Sequence, residues 1–572
     1  MKASVIFVFC ALIALASTSV AAAGKPNYDQ SPFGVNYLKW HYYDRPGGID
    51  DLRTRMKIMK DAGIYWDRDG FDYGDVHPKP DVWKWDFFDK CVALAKEERI
   101  NLIGLLLGGP QPDNAERRKD YGEYVYQVVN RYKGTVKIWE IWNEPNIPSF
   151  WHNPDAKLYT LLVKEAYTRA KQADPNCTVL IGSTSGPGTD WFNGIYDNGG
   201  WDYCDGVSIH PYAMASGPIE QGLDKSLRLL KKQFAAFGKP KPIWSTEVGW
   251  QAKNPDQEET QATRMFQTYV IHIANGIRNM AYFCMDDYDD WGFVKQDKPL
   301  QTKLAYGSMT MLTQALGSPG PAAPLEGYLK MPEGVACYVF KKKGSGRVLI
   351  LWSNGDAKRT VQLAQKNGLT AKDIINRPVK ITGGKFEVGP TPVILYSADA
   401  RKIGKVSMDF NPYLTKPGRN LLINPSMDAA AGRNPHGWTP GRFFSTDNKG
   451  TFAATSDGRA GSTCVSISNS TAPAAWDASP IPVDPDKTYI LTGWIKTKDA
   501  TGKNVIGLYW YSGNQWTCLG SPSTQSITGT QDWTKVTVTA KSPRDAALVR
   551  VNLLSENNTG TTWFDDVTMT EQ

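Results

Sequence analysis

From Ser31 to about Met311 the chain alternates two textures at a steady interval. Short apolar, β-branched runs recur at Phe33–Leu38, Ile64–Asp69, Ile100–Leu107, Val136–Trp142, Thr178–Gly182, Gly206–His210, Pro242–Thr246 and Met280–Met285, and a helix-compatible segment follows each. Near-continuous apolar runs of this length suit strands buried on both faces, the condition of a parallel sheet covered by helices. Eight such units over this span predict a closed (β/α)8 TIM barrel within residues 24–316 rather than an open doubly wound sheet. No glycine-rich nucleotide turn follows the first run, which removes a dinucleotide-binding reading.

The texture changes at Gly317-Ser318-Pro319-Gly320-Pro321. Runs at Val335–Phe340, Arg347–Trp352, Thr360–Leu363, Lys385–Val388 and Thr391–Tyr396 then predict a small β-sandwich over 317–398, packed against the barrel. Residues 399–418, basic and proline-containing, read as a linker. Over 419–572 Asn, Thr, Ser and Gly are abundant, strands are short and Trp recurs, which predicts a C-terminal β jelly roll. At the other end, Lys2, the apolar run Val5–Ala16 and Ala21-Ala22-Ala23 have the layout of a signal peptide over 1–23. That run is shorter than the roughly 20 residues a membrane span needs, and no later one is apolar enough. The expectation is a secreted protein, extracellular or periplasmic, with no membrane span.

Composition adds exclusions. With 41% hydrophobic and 22% charged residues, the 572-residue chain is neither fibrous nor disordered. A net charge of +7, from 65 basic and 58 acidic residues without a basic block, argues against nucleic acid as a partner. The cysteines are scattered without metal-ligand spacing, and Cys464 and Cys518, alone in the C-terminal third, are a candidate disulfide pair. The notable excess is aromatic: 20 Trp, 26 Tyr and 20 Phe serve either core packing or stacking on sugar rings.

The fourth run ends in Trp139-Glu140-Ile141-Trp142-Asn143-Glu144-Pro145-Asn146 and the seventh in Trp244-Ser245-Thr246-Glu247-Val248. Glu144 and Glu247 therefore stand at the C-terminal lip where barrel enzymes keep their sites, on strands that face each other across the mouth. Two carboxylates flanking a bond suit glycoside hydrolysis, whose oxocarbenium-like transition state needs an anion on one face and a proton donor at the leaving oxygen. Their separation, which decides between retention and inversion, is not a property of the sequence.

These motifs, with Asp67-Arg68-Asp69-Gly70-Phe71 after the second run, resemble clan A glycoside hydrolases, and family 39 and its relatives most of all. The resemblance covers about residues 31–398 and implies a retaining enzyme needing no cofactor, with a carbohydrate as its partner. It implies Glu144 as general acid/base, Glu247 as nucleophile, and Asn143 as a hydrogen-bond partner of the sugar 2-hydroxyl. It further implies Arg68 as the cation orienting the nucleophile, and Tyr212 of His210-Pro211-Tyr212 as a hydroxyl touching it. Arg68 as an ordinary ion pair with Asp67 or Asp69, and His210 as a core histidine, are the alternatives. Many clan members place Trp directly after strand eight; here Phe283-Cys284-Met285 is followed by an acidic run and Trp291, so either Trp291 reaches back or the subsite is built differently. The acidic run itself suits sugar hydroxyls, a cation or a solvated loop. Trp40, Trp151, Trp250 and Trp291 are further candidates for the sugar-binding cleft.

The last 154 residues resemble jelly-roll carbohydrate-binding modules, from Asn424-Pro425 and Gly437-Trp438 to Trp563-Phe564-Asp565-Asp566-Val567. Trp476, Trp510, Tyr511 and Trp516 are the candidate stacking residues there, while Trp438, Trp494, Trp533 and Trp563 are expected to be buried. A structural calcium is compatible with such a module, without assignable ligands. The functional expectation is endo-acting cleavage of a β-linked polysaccharide or oligosaccharide. An exo-acting β-xylosidase type, a transglycosylase, and an inactive carbohydrate-binding protein are the other readings.

Overall fold

Eight parallel strands close on themselves because the first lies between the second and the last. Gly34 of β1 (Phe33–Asn36) is in register with both Trp66 of β2 (Trp66–Gly70) and Ala281 of β8 (Met280–Phe283). Between β2 and β8 follow β3 (Asn101–Leu106), β4 (Ile138–Ile141), β5 (Thr178–Ser185), β6 (Gly206–His210) and β7 (Ile243–Val248), in chain order around the barrel. Helices α1 (Gly48–Asp61), α2 (Asp86–Glu98), α3 (Ala115–Tyr132), α4 (Ala156–Ala173), α5 (Thr189–Asp197), α6 (Leu223–Ala236), α7 (Glu258–Ala274) and α8 (Leu304–Leu316) follow the strands one by one. The eight predicted runs thus each supply one strand of a TIM barrel. This computed structural model describes residues 28–36, 38, 47–212, 217–219, 222–295, 301–332, 334–342, 346–354, 358–397, 403–408, 420–422, 425–428, 430–431, 434–435, 437–441, 450–478, 480–512 and 518–572. The expected signal peptide, Trp40 and Trp516 lie outside them.

The barrel interior is layered. At its lower end Trp66, Ile103, Ile138, Leu180 and Trp244 form a closed apolar cluster, with the Trp66 and Trp244 rings edge to face at 5.8 Å. Side chains two residues further along a strand point the same way. Arg68 therefore stands above Trp66, Glu140 above Ile138 and Thr246 above Trp244, which puts a polar layer directly under the mouth. Outward residues meet the helices instead. Trp139 is fully buried there and lies over Gly104, where an added Cβ would come within 2.4 Å of the indole, so only glycine fits.

The following sandwich is not a separate body. Its main sheet runs β13 (Leu369–Asp373), β15 (Val393–Ser397), β11 (Arg347–Ser353), β10 (Val335–Lys341), β9 (Leu325–Leu329) and β16 (Val406–Ser407), and β12 (Arg359–Gln362) pairs with β14 (Lys385–Val388). Along β10 and β11 alternate residues go to different cores: Tyr338, Phe340, Ile350 and Trp352 join the barrel's, while Cys337, Val339, Leu349 and Leu351 fill the sandwich's own. Ser308 of α8 donates to the Ile374 carbonyl at 2.8 Å, and Gln267 of α7 to that of Pro390 at 3.1 Å. The 399–418 stretch is not wholly a linker, because β16 pairs with β9.

The C-terminal unit is two antiparallel sheets. One runs β17 (Trp438–Pro440), β20 (Ala474–Ala478), β26 (Leu548–Glu556), β23 (Lys503–Tyr511) and β24 (Cys518–Gly520), with β21 (Ile481–Pro482) also on β26. The other runs β18 (Thr451–Thr455), β19 (Cys464–Ser470), β27 (Asn558–Glu571), β22 (Thr488–Ala500) and β25 (Gly529–Lys541). Trp476 and Trp510 are each 1% exposed in its core and cannot stack on a ligand, contrary to expectation, and Tyr511 is buried too. Trp494, Trp533 and Trp563 are only half-buried, the reverse of what their neighbours suggested. Cys464 and Cys518 are both free, one buried on β19 and one exposed on β24 of the other sheet, so the candidate bridge does not form. Pro482 packs against Gly222 at the start of α6, and Asp484 faces Lys225 at 3.5 Å, which docks one end of this unit on the barrel. Among the described residues no helix is long and apolar enough to cross a membrane, and no cluster of His, Cys, Asp or Glu could hold a metal ion.

One buried group ties this packing to pH. His272 of α7 is 1% exposed; its Nδ1 lies 2.8 Å from the Thr268 carbonyl, and burial pushes the imidazole down to about 4. Between about pH 6.5 and 4 the unfolded chain takes up a proton that the folded chain refuses, so stability falls as pH drops through that window. The loss is up to roughly 3 kcal/mol, at about 1.4 kcal/mol per unit. Urea unfolding at pH 7 and pH 5 is expected to show a smaller difference in His272→Leu than in the parent; an equal difference would contradict the assignment.

Candidate active site

The polar layer is organised by one guanidinium. Arg68 is 3% exposed and donates from Nε to Glu140 Oε2 at 2.6 Å, from Nη1 to Glu247 Oε2 at 2.9 Å, and from Nη2 to Asn143 Oδ1 at 2.8 Å and Ser183 Oγ at 3.3 Å. It thereby ties β2 to β4, β5 and β7. Burial works against its charge, but Glu140 and Glu247 outweigh it and raise the pKa. Glu140, fully buried, shows the converse: burial would push its carboxyl up, yet Arg68 and His210, with Ser208 and Thr246, hold it below the ordinary carboxylate range. Thr246 donates to its other oxygen at 2.6 Å.

Above this layer the β4 lip turns sharply. Trp142 and Glu144 both have left-handed backbones, φ 66° and 41°, unusual for residues with side chains and costing on the order of 1–3 kcal/mol each. The turn is held by its neighbours: Trp142 N–H donates to the Leu106 carbonyl of β3 and Glu144 N–H to that of Ser183 in β5. Glu144 is aimed inward, its Oε1 3.0 Å from Nδ1 of the fully buried His210. His210 Nε2 lies 3.1 Å from Ser183 Oγ and 3.2 Å from Thr246 Oγ1. Ser183 also accepts from Arg68, and Thr246 gives its proton to Glu140. His210 is thus a core histidine and a site residue at once.

Glu247 is gripped at both oxygens. Arg68 holds Oε2, and Tyr212 O–H donates to Oε1 at 2.8 Å. Burial, reinforced by the Glu247 charge, pushes the Tyr212 phenol well up, so it stays a donor. Glu247 Oε2 also lies 3.9 Å from His210 Nδ1, the atom that touches Glu144.

Trp291 reaches back from the loop after β8. Its ring stands edge-on to Tyr212 and to Phe283, each at 5.7 Å, next to Gly249 at the end of β7. The acidic run beside it is neither a solvated loop nor a cation site at its first two positions: Asp286 pairs with Arg55 at 2.9 Å and Asp287 with Lys303 at 2.7 Å, all largely buried.

Asn143, Arg68, His210, Tyr212, Glu144 and Glu247 therefore converge, and Trp291 adjoins them. Trp151 and Trp250 do not belong with them. Trp151 is fully buried, edge-on to Trp142 and Tyr159, because the β4–α4 loop folds it under the lip. Trp250 is 2% exposed in the barrel–helix core, which leaves no ring face for a sugar. Glu140, Ser183 and Thr246 were missed. Glu140 carried a signal, a carboxylate on the lumen side of an otherwise apolar strand; the two hydroxyls carried none.

No protein-family model matches this sequence, and no curated protein does. Among solved structures, the chain is similar to a family 39 glycoside hydrolase from the gut symbiont Bacteroides cellulosilyticus WH2. The TM-score is 0.53 and the identity 18%, over 64% of this chain and 81% of that one. A family 51 α-L-arabinofuranosidase from Bifidobacterium longum matches with TM-score 0.50 and 10% identity, over 66% and 97% of the two chains. A family 39 β-xylosidase from Caulobacter crescentus matches with TM-score 0.46 and 15% identity, over 65% and 97%. The chain shares the TIM-barrel fold of the first two of these glycoside hydrolases.

Proposed function

We propose that this chain is a secreted, retaining glycoside hydrolase that cleaves β-linked glycans by double displacement. The observation that carries this is the shared imidazole nitrogen. With Glu144 Oε1 at 3.0 Å and Glu247 Oε2 at 3.9 Å from it, the two carboxylate oxygens lie within about 7 Å of each other. Oxygens this near one another are compatible with the roughly 5–5.5 Å carboxyl spacing of retaining enzymes. The similarity of the barrel to family 39 and family 51 enzymes supports the same class.

In this reading Glu247, fixed by Arg68 and Tyr212, attacks the anomeric carbon while Glu144 protonates the leaving oxygen. Glu144 then takes a proton from water, which releases the sugar from Glu247. Asn143, oriented by Arg68, binds the sugar 2-hydroxyl, and Trp291 walls the cleft beside Tyr212. The N-terminal signal layout supports secretion, and the appended β-sandwich unit supports an endo-acting enzyme on a polymer.

Glu144→Gln is expected to lower kcat/KM by about 10²–10⁴-fold on a glycan that the parent cleaves. Glu247→Gln should abolish both turnover and labelling by a 2-fluoroglycoside, whose adduct in the parent maps to Glu247. Near-normal turnover in either variant sinks the mechanism, as does an inverted first-formed anomer by NMR. A spread of oligosaccharide lengths among the earliest products would support endo action over exo action.

Glu140→Gln leaves Arg68 buried without its closest counter-charge, and a loss of about 3–5 kcal/mol is expected in urea unfolding at neutral pH. Because Arg68 depresses the Glu140 pKa, the parent's contribution is fully present above the ordinary carboxylate range and is lost as pH falls below it. The parent and variant stabilities should therefore converge on acidification; a constant gap would refute the ion-pair account.

A further inference from the structure

The three half-buried tryptophans of the C-terminal unit share one surface. Along β22 the inward residues are Tyr489, Leu491, Gly493, Ile495 and Thr497, so Trp494 and Lys496 point out, as Thr492 does where it meets Thr537 of β25 at 3.2 Å. Trp563 of β27 is the cross-strand partner of Lys496, and both face outward. On the other flank, Trp533 occupies the bulge between the Ile495–Thr534 and Thr497–Gln531 pairs, beside Lys496. Lys496 thus stands between two indoles on strands two spacings apart, about 10 Å, and its Nζ is 5.6 Å from the Trp563 ring.

The surrounding charge is mainly positive, the exception in the bulge being Asp532, whose carboxylate accepts from the Trp533 N–H at 2.8 Å. Lys535 is the cross-strand partner of Trp494, and Lys498 follows on β22. Arg459 lies flat on Trp494 at 3.6 Å and pairs with Asp566. Among the described residues no carboxylate lies within ion-pair reach of Lys496, Lys498 or Lys535. The contacts with the barrel include Pro482 and Asp484, with Pro485 and Arg544 to Ala547 lining a shared cavity, all near the start of β22 at Thr488; Lys496 is eight residues along that strand, roughly 25 Å away at 3.3 Å per residue.

We propose that this outer face is a binding site for an anionic polysaccharide. Trp533 and Trp563 stack on sugar rings two apart along the chain, and a carboxylate or sulfate group of the ring between them sits on the Lys496 ammonium. Indole faces suit the apolar faces of pyranose rings, and the ammonium between them selects charged over neutral chains. The inference deepens the glycoside hydrolase reading by naming the class of polymer the enzyme works on, and it rests on that reading for its biological sense.

The test is affinity gel electrophoresis of the full chain carrying Glu247→Gln, so that the probe is not consumed. The probes are polymannuronate (a β-linked uronate polymer), a sulfated galactan, xylan and a neutral β-glucan. At least one anionic polymer is expected to retard the protein, and which one it is separates carboxylate from sulfate. High salt should weaken that binding, since exposed charges are screened within about 3 Å at 1 M. Trp533→Ala with Trp563→Ala, and separately Lys496→Gln, should each weaken it at least about tenfold, since about 1.4 kcal/mol corresponds to that factor. Lys239→Gln on the barrel should not. Near-UV circular dichroism checks that the variants fold. The inference is overturned by retardation with neutral glycans only, by none, by retardation indifferent to the variants, or by a dimer that Trp563→Ala dissociates. Hydrolysis by the parent, assayed separately, distinguishes the failures: cleavage without module binding sinks this inference alone, and module binding without cleavage sinks the enzyme reading alone.

Discussion

The arrangement at the barrel mouth depends on a single buried positive charge. A guanidinium at 3% exposure is tolerable only if carboxylates take the place of water. Arg68 has one beneath the mouth, Glu140, and one at it, Glu247. The lower partner makes the upper one possible. With Glu140 compensating most of the cost of burial, the same cation can fix a second carboxylate, Asn143 and Ser183 without being displaced. Four strands inherit their relative placement at the top of the barrel from that fork. The strained backbone of Trp142 and Glu144 persists because β3 and β5 hold it from both sides.

Much of this was legible from residue patterns. The eight barrel strands announce themselves because burial on both faces makes each run apolar throughout, and Glu144 and Glu247 stand where those runs stop. Glu140 was harder to see because it sits inside such a run. Strand parity, which puts Glu140 on the same side as the lumen residue Ile138, is the property that would have exposed it. Ser183 and Thr246 are placed by irregular pairing, β5 shifting register against β6 between Ile181 and Thr184, and β7 against β8 between Ser245 and Val248. Trp151 and Trp250 show the limit of arguing from loop position: the loop was identified, but the direction of the ring depended on tertiary packing.

The C-terminal unit misled in a similar way. In β22 the inward set contains Tyr489, Leu491 and Ile495, and the outward set contains Ile490 and Trp494, so aromatic content alone does not tell the faces apart. Thr492 and Lys496, sharing parity with Trp494, are the residues that do. The short strands β9, β13 and β16 escaped notice because one to three apolar residues among polar ones carry little periodic signal.

The alternation along β10 and β11 bears on how this protein can be divided. Since successive residues of one strand serve two cores, the barrel's helices α7 and α8 are completed by chain that lies after residue 316. Shuffling of domains would respect a different seam. The sandwich must travel with the barrel, whereas the C-terminal unit, with its own core and contact at one end, is the piece that can be gained or lost without reopening the barrel.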